Sequence, residues 1–181
     1  RAGARRRVAT RLAAAADGAA AREAAAPDAG EPVAVIRRAA LSGRGGAGAP
    51  EGAAVVRALE TLERQLPGEG PPQSSVEGSY ELVFSSAIAW VPFVGGYMPN
   101  REIIHFRFEG ARQMELLVDT LPFVPRMSII GEDCAYDSAT ATISYRVRGK
   151  TASSAWRVLY ADGEVLAAVS SVTGLNVARR F

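Results

Sequence analysis

The sequence predicts a mainly β protein, an eight-stranded antiparallel barrel preceded by N-terminal α-helices. Apolar residues recur at helical spacing before residue 70, and from residue 78 they alternate one by one, the period of a strand with two unlike faces. Eight such short segments succeed one another with turn residues and no helical pattern between them, which implies an antiparallel meander. A meander with one apolar face removes its exposed edges by closing on itself.

Residues 1–30, beginning RAGARRRVATRLAAAADG, are rich in arginine and alanine and resemble a targeting-peptide remnant or an Ala-rich helix over about 4–25. EPVAVIRRAAL, residues 31–41, predicts a helix that ends at the glycine-rich SGRGGAGAP. A further helix is expected from Pro50 through GAAVVRALETLERQL, where Val55, Leu59, Leu62 and Leu66 mark one apolar face. PGEGPPQSS then reads as a proline-rich linker. The chain thus divides into an N-terminal extension (1–30), a helical segment with its linker (31–70) and the barrel (76–181).

In the barrel, Tyr80, Leu82 and Phe84 alternate with Ser79, Glu81 and Val83, and Ile143, Tyr145 and Val147 alternate with Thr142, Ser144 and Arg146. This pattern places Phe84, Phe106, Phe108, Met114, Leu116, Tyr145, Trp156 and Tyr160 in the interior, as the ligand contacts of a hollow barrel. Eight strands enclose a space that side chains fill or that holds one small ligand, and the sequence admits both.

Two loops are unusually apolar for their proline and glycine content. AWVPFVGGYMPN carries Trp90, Phe93, Val94, Tyr97 and Met98; LPFVP carries Leu121, Phe123 and Val124. Each follows an odd-numbered strand, so both are expected at the same end of an up-and-down barrel. There they plug the barrel, form the mouth for an apolar ligand, or contact a membrane or a partner.

Twenty-one basic against nineteen acidic residues leave a net charge of +2, which argues against a nucleic-acid partner. One cysteine and one histidine exclude an internal disulfide and a multi-cysteine or His-rich metal centre. Cys134, in the acidic GEDCAYD, is a poor nucleophile, and SGRGGAGAP lacks the Lys-Ser/Thr of a phosphate loop. No catalytic or metal-binding residues are expected, and no enzymatic activity.

The order of ALETLERQLP, a proline-rich linker, GSYELVFSS and GKTASSAWRVLYADGEVLAAVSSVTGLNVARR resembles the plastid lipid-associated protein, or fibrillin, family over residues 31–180. Gly43-Arg44-Gly45 matches its Gly-flanked arginine and Leu62-Glu63 the end of its helix. Tyr80 and Phe84 stand for the first-strand Trp and Tyr, both aromatics facing inward, and Ala167-Ala168 stand where the family has its first late arginine. The resemblance implies a lipocalin-like barrel with Arg179 or Arg180 stacked on Tyr80, in plastid stroma or at thylakoids, binding a lipid, prenylquinone or carotenoid and no other cofactor. The alternative is a structural subunit of a membrane-embedded photosynthetic complex, held by the N-terminal segment and the apolar loops.

Overall fold

The computed structural model describes residues 30–66, 68–119 and 125–181. The expected helix over 4–25, and Leu121, Phe123 and Val124 of the second apolar loop, lie outside the described residues. Helices α1 (Gly30–Leu41), α2 (Gly52–Gln65) and the one-turn α3 (Gln73–Val76) precede eight strands. These are β1 (Gly78–Ser85), β2 (Tyr97–Arg107), β3 (Gln113–Asp119), β4 (Met127–Asp137), β5 (Thr142–Val147), β6 (Ser153–Ala161), β7 (Val165–Ser170) and β8 (Gly174–Arg180). Each strand pairs antiparallel with the next, and β1 pairs with β8, so the barrel is closed as the alternation predicts.

The interior is filled at one end by aromatic side chains. Phe106 lies 5.8 Å from Trp156 and 6.3 Å from Phe108, and Phe108 lies 5.9 Å from Tyr136, measured between ring centroids. Such pairs add about 0.5–1.5 kcal/mol each beyond the area they bury. The linker closes this end. Val76 of α3 is fully buried in the interior cluster, the Tyr80 hydroxyl donates to the Ser75 carbonyl at 2.9 Å, and the Tyr136 hydroxyl donates to that of Pro71 at 2.7 Å. Arg180 covers the Tyr80 ring at 5.6 Å, the stack the family resemblance implies. Gly131 leaves the space that Tyr145 and Met114 occupy; a Cβ there would stand 2.8 Å from Tyr145.

A second core lies outside the wall. α1 and α2 present Ile36, Ala39, Val55, Ala58 and Leu59 to Val83, Phe84, Leu159, Val165 and Val177. Phe84 and Tyr160, expected in the interior, belong on this outer side: Phe84 is part of the helix-facing cluster and Tyr160 packs at its edge. Both displacements have one cause. β1 carries a bulge between Leu82 and Phe84, and β6 one between Val158 and Tyr160, so two consecutive residues face outward at each and the alternation resumes shifted by one. Leu82 and Val158 remain inside. Phe84 is edge-on to Tyr97 at 5.5 Å, and its ring occupies the space a side chain at Gly96 would need. Tyr160 instead donates its hydroxyl to Asp162 at 2.7 Å.

Phe84→Ala is expected to lower the unfolding free energy by about 3–5 kcal/mol in urea titrations. It should also speed amide exchange in α1 and α2. Phe106→Ala, inside the barrel, should cost similar stability and leave exchange in the helices nearly unchanged.

Candidate functional site

The end of the barrel opposite α3 is built differently. The C-terminal ends of β1, β3, β5 and β7 all lie there, because the strands alternate in direction. Among the described residues six large apolar side chains are exposed, and four of them, Trp90, Phe93, Met127 and Val172, lie at this end. The other two are Leu41 and Phe181.

The β1–β2 connection holds two of the four in defined positions. Ser85 accepts from the Ala87 amide and starts a 3₁₀ turn over Ser86–Ile88. The Trp90 indole N–H then donates to the Ala87 carbonyl at 2.8 Å, which fixes the ring while 80% of the residue stays exposed. Phe93 has φ 67° and is fully exposed. A bulky residue in the left-handed region costs roughly 1–2 kcal/mol, and burial of its ring within the chain recovers none of it. Val94 is half-buried. Tyr97 and Met98, expected on the contact surface, are core residues instead, because β2 already begins at Tyr97 and imposes its alternation. Tyr97 packs outward among the helices and donates to the Pro50 carbonyl at 2.7 Å; Met98 turns inward.

Just inside this end the wall is apolar and partly open. Leu116 and Val147 pack at the edge of the interior cluster. Ile129, paired with Leu116, is half-buried, and Met127, paired with Val118, is exposed. Of the residues assigned to the interior, Phe106, Phe108, Met114, Tyr145 and Trp156 fill the closed half and Leu116 borders the mouth. Among the described residues one charged group faces this apolar end. Glu102 pairs with Leu82 on one side and Val118 on the other and shares their inward direction. Burial raises its carboxyl above the ordinary value, and no hydrogen bond or ion pair reaches it among the described residues. Its place two residues before Ile104 and four before Phe106 was available from the alternation.

A cleft of about 680 Å³ adjoins the mouth on the outside, between the α1–α2 connection and the β1–β2 loop. Arg44, Ala49 and Glu51 line one side and Trp90, Phe93 and Val94 the other. The two sides touch where Gly52 meets the Gly95 carbonyl so closely that a side chain at Gly52 would overlap it.

The thiol and the imidazole do not combine. Cys134 is buried inside, its pKa pushed up to about 12 by burial and by Glu77. His105 faces outward, where its Nδ1 lies 2.7 Å from the Ser79 hydroxyl. Its cross-strand neighbour Glu115 accepts instead from Ser128 at 3.1 Å, so the Ser-His pair on the convex wall has no orienting acid among the described residues. Among the described residues no three His, Cys, Asp or Glu side chains converge as metal ligands, and no helix is long and apolar enough to cross a membrane. No protein-family model, curated protein or solved structure matches the chain.

Glu102 supplies a pH test. Its folded-state pKa lies above the unfolded value, so ionisation works against the fold: its contribution is full below 4.5 and is lost as pH rises through the raised value. Glu102→Gln should therefore melt at a higher temperature than wild type at neutral pH. The difference should close as pH falls below 4.5.

Proposed function

We propose that the protein is a non-enzymatic, lipid-associated barrel of the plastid type that rests its open end on a lipid surface and takes an apolar molecule into its mouth. The observation that carries this reading is the gathering of Trp90, Phe93, Met127 and Val172 around one end, with an apolar interior directly behind them. Water-exposed aromatic side chains on stiff backbone suit a membrane interface, where an apolar ring leaves water at little cost in chain entropy. The strain at Phe93 supports the same reading, since the fold holds this ring outward against its own backbone preference.

Glu102 narrows the ligand. A carboxylate facing an apolar mouth accepts hydrogen bonds, so it favours an apolar molecule bearing a hydroxyl, such as a prenylquinol or a hydroxylated carotenoid. A ligand hydroxyl also satisfies a group that has no hydrogen-bond partner among the described residues.

Flotation of the purified chain with phosphatidylcholine vesicles tests the surface. Wild type should float, and Trp90→Ala/Phe93→Ala should bind roughly tenfold more weakly or worse, since each large apolar side chain withdrawn from water is worth about 1.5–3 kcal/mol. Phe93→Gly should match or exceed wild type in thermal stability while binding vesicles more weakly. A wild type that stays with the aqueous fraction, or a double variant that floats unchanged, refutes the proposal. Migration with a large membrane complex after gentle detergent would favour the subunit alternative.

A further inference from the structure

We propose that Arg44 and Arg101 form a site for the headgroup of an anionic lipid, beside the aromatic loop. This assignment rests on the membrane-facing reading above and adds a headgroup preference to it. The site is organised around Glu81 on the outer face of β1, which is only 6% exposed. Its Oε2 accepts from Nε and Nη2 of Arg179 at 3.1 and 2.7 Å, a forked pair that neutralises the buried carboxylate. Its Oε1 lies 3.9 Å from Nε of Arg44 and 4.0 Å from Nε of Arg101, beyond hydrogen-bond distance.

Neither of these two guanidiniums makes a hydrogen bond among the described residues. Arg101 lies over the Phe181 ring at 5.7 Å, which orients its plane and leaves the N–H edge available. Its cross-strand partner Asp119 is engaged by Arg126 through two bonds of 2.5 and 3.0 Å. Two half-exposed cations thus flank one oxygen of a carboxylate whose other oxygen is already committed to a third, Arg179. An anion seated between them would relieve their repulsion and use their idle donors, and phosphate matches the guanidinium fork.

The surroundings select an amphiphile. Arg44 lines the cleft whose other side is Trp90, Phe93 and Val94, so a charged headgroup at the arginines would leave its apolar part beside the rings. Among the described residues Glu51 is the one carboxylate lining that cleft, and with Glu81 it opposes three arginines, leaving the surface positive.

The full chain is floated with vesicles of phosphatidylcholine alone and with vesicles containing phosphatidylglycerol as well. Wild type should bind the anionic vesicles roughly tenfold more strongly. Arg44→Gln/Arg101→Gln, melting like wild type, should bind both kinds alike, at the wild-type level for the neutral ones. Trp90→Ala/Phe93→Ala should weaken both and keep the preference. A wild type without preference, or a preference that survives in the arginine double variant, overturns the assignment. So does tight binding of inorganic phosphate in calorimetry without vesicles, abolished by the same double substitution, which would make this a free-anion site. Binding confined to anionic vesicles and indifferent to Trp90 and Phe93 would refute the aromatic surface and leave the arginine site standing.

Discussion

The pairing of β1 with β8 is the constraint on which the rest depends. Once that ladder forms, no strand edge is left to pair with another chain, and every wall residue faces either a single enclosed volume or the outside. Tyr80, Phe106, Phe108 and Trp156 compete for the enclosed volume and are packed into its closed half. Beyond them the interior cluster continues in smaller side chains, Leu82, Met98 and Ile104, with Ile88, Leu116 and Val147 packed against it.

β1 also serves both sides of the wall. Its bulge appears against β2 and against β8, so the irregularity belongs to β1 itself. With Val83 and Phe84 both outward, a strand otherwise devoted to the interior acquires an apolar outer patch, and α1 and α2 cover it. The helices are thereby tied to the barrel by a buried aromatic. Glu81 is buried on that outer side as well, and the forked bond from Arg179 satisfies it across the closing ladder.

All eight strands were legible because alternation is a local signal that each segment repeats. α2 was legible from the spacing of Val55, Leu59 and Leu62 and α1 from the run EPVAVIRRAAL before a glycine-rich break, whereas α3, a single turn in a proline-rich stretch, carries too few residues to show a period. Phe84 and Tyr160 were misplaced since a bulge leaves no mark in composition: it shifts the alternation by one residue, and an aromatic side chain is welcome on either side of a wall with two cores. Tyr97 and Met98 read as loop because Gly95, Gly96 and Pro99 surround them, yet β2 reaches back past Pro99. The grouping of Arg44, Arg101 and Arg179 around Glu81 could not be read at all. It joins a helix connection and three strands that are distant in the chain.

The two helices support the wall unevenly. Their main contacts are with β1, β6, β7 and β8, while Leu116, Ile129 and Met127 of the mouth belong to β3 and β4. Deformation is therefore cheaper on one side. On that side the wall near Val118 and Met127 rests on the β3–β4 ladder, while the apolar contacts of α1 and α2 lie on the other side. The cladding is thus one-sided: the stretch of wall that α1 and α2 cover carries a second apolar core, and the stretch around β3 and β4 is backed by the interior cluster.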